Sequence, residues 1–277
     1  MRINIGFDII YTCSQPTPMV LMLNIHPSRV ADIIEPDVLH FNPDVLKTTY
    51  FDGFGNVCTR VVAPAGPFQI STSAIVLDSG LPDPQNPMAE ETPVPVLPNE
   101  VLVYLLASRY CETDRLAPFA WSLFGNVTPG WSRVRAIVEF VHNTIEFGYH
   151  HANPTKSAFD VLQQRRGVCR DFAHLAIALC RCMNIPARYA TGYLGDIGVV
   201  RDAAPMDFSA WFEAYLGDQW YTFDARHNTP RIGRVLMAYG RDAADVALTT
   251  SIGEVILTQF NVWTIQLPEF APQTSCV

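Results

Sequence analysis

Residues 79–100, SGLPDPQNPMAEETPVPVLPNE, carry the feature that most restricts how this chain can fold. Six prolines lie between Pro82 and Pro98, and each removes a backbone donor and disfavours a helix or a central strand around it. The segment therefore predicts an extended linker that divides the chain. We expect a β-rich N-terminal domain over 1–79, a Pro-rich linker over 80–98, a second domain over 99–268 and a C-terminal tail over 269–277.

The part before the linker has the composition of a β-sheet domain. Short segments rich in β-branched or aromatic residues occur at 19–25, 47–52, 56–63 and 68–77. Such segments favour strands, and the glycines of FDGFGN (51–56) favour a turn between two of them. The N-terminal domain is therefore predicted to be β-rich.

The part after the linker changes to helical patterning. In 131–147 the residues Val134, Ile137, Val138 and Val141 recur at the spacing of one helix face, which predicts an amphipathic helix. Two further helices are predicted at 157–164 and 168–184, and strands at 187–194, 207–216 and 219–225. Helices followed by antiparallel strands indicate an α+β domain.

Composition and charge exclude several classes of protein. The chain is 49% hydrophobic and 17% charged with a formal net charge of −8, so it can build a large core but is poorly suited to neutralising nucleic-acid phosphates. Its start lacks the pattern of a signal peptide, and no run approaches the roughly 20 apolar residues that span a bilayer. We expect a cytoplasmic protein without nucleic-acid or membrane partners; its oligomeric state stays open.

The cysteines do not form a recognisable metal or disulfide pattern. There are seven, spaced irregularly and without a C-x-x-C pair. Cys180 and Cys182, two residues apart in a predicted helix, point to roughly opposite sides of it. Reduced thiols are the simplest interpretation, and no metal site is predicted.

Cys169 differs from the other cysteines in its place at the start of a predicted helix. Backbone N–H groups are free there and the helix dipole favours an anion, so the pKa of a thiol is expected to fall. The same groups can stabilise an oxyanion. The alternative is that Cys169 is a small apolar residue that only fills space.

The segment DFSAWFEAYLGDQWYTFDARH (207–227) predicts a hairpin. If Gly217 and Asp218 form a two-residue turn, Phe212 pairs with Phe223, and this apolar face packs on the cysteine helix. The same register makes Ser209 a diagonal neighbour of Asp224, within side-chain reach. A cysteine, a strand residue and a carboxylate are the parts of a nucleophile–base–orienter array, but serine is no general base near neutral pH.

Three segments together resemble the transglutaminase-like superfamily, and more closely its bacterial members with an N-terminal β domain: GVCRDFAHLAIALCRCMNIPARYATGYL, DFSAWFEAYL and WYTFDARHN. The resemblance implies a papain-like α+β core that acts on peptide or protein amides as a cysteine protease, amidase or acyl transferase, with no cofactor. It assigns the nucleophile to Cys169 and the orienting carboxylate to Asp224. The catalytic histidine of the family, which precedes Ala-Trp, corresponds to Ser209.

Other histidines are weak substitutes on sequence grounds. His227 follows Asp224 by three residues, so a continued strand would point it to the opposite, core-facing side, whereas a turn after Asp224 would change that. His174 lies about 140° around the helix from Cys169, and a buried structural role is the simpler interpretation. His150 and His151 fall in a loop that would border the cleft, where exposure to solvent is the simpler interpretation.

Three hypotheses remain open from the sequence. The first is a cysteine-dependent amide hydrolase or acyl transferase, impaired unless its histidine comes from elsewhere. The second is a catalytically inactive scaffold that uses the same fold to bind a peptide or protein. The third is that Ser209 is an engineered or erroneous residue in an otherwise active enzyme. In each, Trp211 and Tyr193 are candidates for lining the cleft, although packing would explain them equally well.

Overall fold

The computed structural model describes residues 1–201 and 205–268. The strands of the N-terminal part are β1 (Arg2–Cys13), β2 (Thr17–Leu21), β3 (Ile33–Glu35), β4 (His40–Asn42), β5 (Thr48–Phe51), β6 (Val57–Ala63) and β7 (Gly66–Leu77). The helices are α1 (Thr113–Phe124), α2 (Trp131–Thr144), α3 (Ala158–Gln164) and α4 (Cys169–Cys182).

The later strands are β8 (Glu146–Phe147), β9 (Arg166–Gly167), β10 (Ala187–Tyr193), β11 (Ser209–Leu216), β12 (Gln219–Phe223), β13 (Val235–Gly240), β14 (Thr249–Ser251) and β15 (Val255–Gln266). Short 3-10 helices occur at Pro27–Asp32, Val94–Val96, Asn99–Leu105 and Tyr149–His151. The predicted α+β architecture with a β-rich N-terminal region is confirmed. Among the described residues, no helix is both long and apolar enough to cross a membrane.

Two antiparallel sheets form the N-terminal β region. One has the order β15-β1-β7-β3 with β4 also on β7, and the other has the order β14-β2-β6-β5. Alternate residues of β1, including Ile3, Ile5 and Phe7, are fully buried between the sheets. The period of two in burial is what a strand with one core-facing side produces.

The last two strands correct the predicted boundary of the second domain. β15 pairs with β1 from Ile3–Gln266 to Cys13–Val255, and β14 pairs with β2. Residues 249–266 therefore belong to the N-terminal sheets and not to a continuous domain over 99–268. Strand pairing over such a sequence distance leaves no local signal, because a strand pattern does not name its partner. The predicted tail over 269–277 lies outside the described residues.

The Pro-rich segment is extended, as expected, but it is held against the second domain. The backbone of Asp83 donates to the carbonyl of Arg231 at 2.9 Å, and Trp131 donates to the carbonyl of Ala89 at 2.9 Å. Ala89 is buried in the helical core. The segment therefore acts as an ordered strap across the domain that follows it.

A central antiparallel sheet of order β12-β11-β10-β13 carries the second domain. The helices cover one face, and α4 is buried along almost its whole length. The hairpin has the predicted register, with Phe212 opposite Phe223, and Gly217 and Asp218 both have positive φ (52° and 63°). Both phenylalanines pack with α4 in one core. The opposite face of this sheet meets the N-terminal β region.

Candidate active site

The start of α4 is held by a buried carboxylate three residues into the helix sequence. Asp171 is fully buried and accepts a hydrogen bond from the backbone of Val168 at 3.0 Å. Lys156, also buried, lies 3.8 Å from the same carboxylate. A Cβ on Gly167 would come within 2.6 Å of the Asp171 side chain, so only glycine lets the chain pass this closely. These contacts set the position of Cys169.

Cys169 differs from the other cysteines in its exposure. Of the six cysteines within the described ranges, Cys169 is half-buried and the other five are buried. It lines a cavity of about 670 Å³. The thiol of Cys169, the first residue of α4, is therefore accessible from this cavity.

The cavity lies where the second domain meets the N-terminal β region. Its described walls come from Tyr149, from 194, 196, 201 and 205–209 between β10 and the start of β11, from 226, 227 and 231 after β12, and from 262, 263 and 265 of β15. A strand contributed by the last part of the chain thus closes a cavity whose nucleophile candidate comes from the middle. The β region shapes the site.

The thiol of Cys169 is harder to ionise than its position suggested. Burial raises its pKa to about 11, and the nearby carboxylate of Asp207 acts in the same direction. Arg226 and the backbone N–H groups of Ala210 and Arg170 lower the pKa but do not outweigh these effects. The expectation of a lowered pKa is therefore wrong, because burial exceeds the contribution of the helix start. The sulfur is a neutral thiol at pH 7 and needs a base.

Asp207 is the carboxylate whose charge raises the pKa of this thiol. Burial raises its own pKa, while the backbone N–H of Phe208 and the guanidinium of Arg226 act against that rise. It lies in the same cavity as Cys169. The cavity therefore holds a cysteine and a partly desolvated carboxylate, and Arg226 lowers the pKa of both.

Asp224 lies one residue beyond β12 in a buried and fully hydrogen-bonded position. It accepts from the backbones of Arg226 and His227 at 3.0 Å each, from His227 Nδ1 at 2.8 Å and from an Arg234 Nη at 2.9 Å. Burial alone would raise the pKa of this carboxyl, but Arg234 and His227 hold it well below its usual range. Asp224 is therefore an ionised, immobilised acceptor.

Ser209 is the first residue of β11 and lines the cavity together with Cys169. The β11–β12 ladder has the predicted register but ends at Phe212–Phe223, so the diagonal proximity of Ser209 to Asp224 stays a prediction. Throughout the described chain, no hydrogen bond joins Ser209 to Asp224. The carboxylate is instead occupied by the turn that follows it.

Comparison with known proteins agrees with this architecture. Residues 119–225 match the family model of the transglutaminase-like superfamily. The solved structure of a candidate cysteine protease from Cytophaga hutchinsonii is 34% identical, with a TM-score of 0.84 over 98% of this chain and 93% of that one. The chain belongs to the transglutaminase-like superfamily.

Curated mycobacterial proteins are also similar to this superfamily member. An uncharacterized protein of Mycobacterium leprae is 38% identical over 94 residues, and the match spans only 33% of each chain. An uncharacterized protein of Mycobacterium tuberculosis is 28% identical over 224 residues, covering 72% of this chain and 70% of the relative.

Two residues expected in the cleft of this superfamily member lie elsewhere. Tyr193 is fully buried in the core of the N-terminal β region. Trp211 packs with Ala190 and Leu236 on the sheet face away from α4, where it lines a second, separate cavity. Alternation along β11 explains the position of Trp211, because its neighbours Ala210 and Phe212 pack in the core with α4 and the residue between them points to the opposite face.

His227 lines the Cys169 cavity, whereas the other histidines of the second domain do not. His174 is fully buried, and its Nε2 accepts from the backbone of Ala243 at 3.1 Å, as expected of a structural histidine. His150 is exposed. Within residues 1–201 and 205–268, no three His, Cys, Asp or Glu side chains are arranged to hold one metal ion.

Sequence reasoning missed several residues that build this site. Asp171 and Gly167 adjoin the cysteine in the motif GVCRD and had a local signal in that spacing. Arg234 had none, because its contacts join segments far apart in the sequence. Asp207 had a signal, because the hairpin pattern places it on the same polar face as Ser209, but it was given no role. His227 was considered and set aside on the assumption that the strand continues past Asp224.

Proposed function

We propose that this protein is a cysteine-dependent amide hydrolase or acyl transferase that acts on a peptide or protein substrate. Cys169 is the nucleophile and Asp224 is the carboxylate that orients the base. The observation that carries the proposal is the half-buried thiol of Cys169, at the first residue of a buried helix and open to a cavity of about 670 Å³. Cavities of about 300–1,000 Å³ are the usual size of small-molecule sites in proteins.

The surroundings of the sulfur suit acyl chemistry. The backbone N–H groups of Ala210 and Arg170 lie close enough to lower the pKa of Cys169. Groups that stabilise a thiolate also stabilise the oxyanion of a tetrahedral intermediate when the substrate carbonyl occupies that position. The similarity to the Cytophaga hutchinsonii protein, at 34% identity over nearly the whole chain, supports a protease-type reaction.

A catalytically inactive scaffold is the alternative, and two observations favour it. Serine stands at position 209, where the family has its catalytic histidine, and burial keeps the pKa of Cys169 at about 11. Amide cleavage needs a group that protonates the leaving amine. Under this alternative the cavity binds a peptide without turnover.

The test compares the wild type with Cys169→Ala on a panel of peptide amides and on glutamine peptides supplied with a primary amine. Hydrolysis and amine incorporation are both followed by mass spectrometry. Cys182→Ala is the matched control, because Cys182 lies in the same helix outside the cavity. Activity that is lost in Cys169→Ala and kept in Cys182→Ala supports the proposal. Wild-type peptide binding without any product would favour the scaffold.

Iodoacetamide labelling gives a second measurement that needs no substrate. At pH 7 Cys169 is expected to be alkylated faster than the five buried cysteines of the described residues, because its thiol is accessible. Peptide mapping after short exposure reads each rate. Equal rates at all sites would leave Cys169 an ordinary packing residue and contradict its role as nucleophile.

A further inference from the structure

The chain reverses immediately after Asp224. β12 ends at Phe223, and the backbones of Arg226 and His227 both donate to Asp224 Oδ1 at 3.0 Å. The backbone of Asn228 then donates to the carbonyl of Asp224 at 2.8 Å, with φ of 52° at Asn228. An aspartate side chain that binds the backbone of the following residues forms a turn and ends the strand. The alternation of the strand then no longer determines the direction of the side chains after Asp224. His227 is therefore brought back onto the carboxylate.

This turn is fixed from both sides. His142 of α2 donates from Nδ1 to the carbonyl of Arg226 at 2.9 Å. Behind the carboxylate, Arg234 bridges Asp224 at 2.9 Å and Asp83 of the Pro-rich strap at 3.0 Å. A carboxylate held by a buried arginine cannot move to follow a mobile partner. Asp224 thus sets the orientation of whatever ring it binds.

The ring it binds is that of His227. Nδ1 donates to Asp224 Oδ2 at 2.8 Å, and the side chain is 25% exposed. Because the ionised carboxylate accepts the hydrogen bond from Nδ1–H, the proton of the neutral ring stays on Nδ1 and the free lone pair is on Nε2. Nε2 has no hydrogen-bond partner within the described residues. His227 lines the same cavity as Cys169 and Ser209.

We propose that His227 is the general base and acid for Cys169, in place of the histidine that the superfamily carries at position 209. This inference rests on the proposed function of Cys169. The array becomes Cys169–His227–Asp224, in which the base arrives from the turn after the second strand of the hairpin. Ser209 then contributes no proton transfer.

The reaction balances with these three groups. His227 Nε2 takes the thiol proton as Cys169 Sγ attacks the amide carbonyl carbon, which forms a C–S bond and an oxyanion. When the oxyanion collapses, the C–N bond breaks and the imidazolium gives its proton to the leaving amine. The thioester is then attacked by water or by an acceptor amine, whose proton passes to Nε2 and then to the departing sulfur. Asp224 stays ionised throughout.

Asp207 is the competing base. It lies in the same cavity and affects the pKa of Cys169 directly. Its negative charge, however, opposes formation of the thiolate, whereas a neutral imidazole accepts the proton and becomes an attractive cation. The experiment therefore includes Asp207→Asn as the rival variant.

The decisive variant is His227→Asn. The Asn side-chain amide places an N–H where His Nδ1 lies, so the bond to Asp224 is kept while Nε2 is removed. We expect kcat/KM on the active substrate to fall by about 10²–10⁴, with a melting temperature close to that of the wild type. His40→Gln is the matched control, because His40 is exposed in β4, away from the cavity, and it should keep wild-type activity.

A second variant restores the family arrangement. In the His227→Asn background, Ser209→His returns a ring to the family position beside the cavity. Recovery of at least about tenfold in kcat/KM, within the range of general-base effects, supports a missing base as the cause of the loss. Unchanged activity in His227→Asn would overturn the proposal. So would a result in which Asp207→Asn loses activity while His227→Asn keeps it.

Alkylation of Cys169 across pH separates this inference from the proposed function. At pH 7 the wild type is expected to react about tenfold or more faster than His227→Asn, because only the paired thiol forms thiolate there. Asp224 and Arg234 lie behind the imidazole, and the titratable and charged groups that line the cavity with it are Tyr149, Cys169, Asp196, Arg201, Asp207, Arg226 and Arg231. If no substrate is turned over but the wild type is still alkylated faster than His227→Asn, the proposed amide chemistry is contradicted and the Cys169–His227 pair is supported. Identical alkylation profiles would overturn the pair.

Discussion

β12 has a turn at each end, and the two turns are built differently. The first, Gly217–Asp218, uses two residues with positive φ, joins β11 to β12 and donates one backbone hydrogen bond to the strap, from Gly217 to the carbonyl of Glu90 at 2.9 Å. The second begins at Asp224, uses a buried carboxylate to bind two backbone N–H groups, and is tied to α2 and to the Pro-rich strap. A turn that depends on backbone preference can be predicted from the sequence. A turn that depends on tertiary contacts cannot, and in this protein it is the second kind that lies at the site.

Asp224→Ala is expected to have the largest effect on stability in this comparison. The buried guanidinium of Arg234 would lose one of its two carboxylates, and removing one partner of a buried ion pair costs about 3–5 kcal/mol. Urea unfolding measures this loss. Asp218→Asn in the other turn is the control, expected to stay within about 0.5 kcal/mol, because asparagine tolerates positive φ. Similar losses in both variants would remove the distinction between the turns.

The pH dependence of stability should show the contribution of Asp224 in the second turn. Since the pKa of Asp224 is held below its unfolded value, its contribution is fully present above the unfolded pKa of about 3.9 and is lost as pH falls through the folded pKa. The free energy of unfolding should therefore decline below about pH 5. In Asp224→Asn that decline should be shallower. A decline of the same steepness would mean that other carboxylates account for it.

His142→Ala should have a smaller effect that reaches the site through the turn. Loss of the bond to the carbonyl of Arg226 should cost about 0.5–1.5 kcal/mol. If His227 is the base, kcat should also fall several-fold with little change in KM, because the ring loses its fixed position. His142→Asn, which keeps a donor near Nδ1, should recover most of kcat. Full activity in His142→Ala would show that the turn needs no support from α2.

Gly217→Ala is expected to have the smallest effect on activity. An alanine at φ of 52° costs about 1 kcal/mol from backbone strain alone, since no atom lies closer than 3.9 Å to the added Cβ. Thermal unfolding should register this loss while kcat/KM stays at the wild-type value. A marked loss of activity would mean that the hairpin tip also communicates with the cavity.

Sequence patterns predicted much of the second domain because its elements are locally encoded. The helical spacing around Val134 and Ile137 predicted α2, and the hairpin register from Phe212–Phe223 to Leu216–Gln219 followed from the turn. The expectation that β15 belongs to the second domain was wrong, since its pairing with β1 joins residues at opposite ends of the chain. Local propensity carries no information about such a partner.

The sequence by itself determined the α+β class, because periodicity and turn residues are encoded in neighbouring positions. Its resemblance to known members, carried by motifs such as GVCRD, gave the superfamily and the candidate nucleophile. Only tertiary structure decided what surrounds Cys169. Burial, Asp207 and Arg226 set the pKa of its thiol, and Arg234 with Asp83 holds Asp224 where His227 binds it. Desolvation and charge act through space, so their balance appears only after distant segments have packed together.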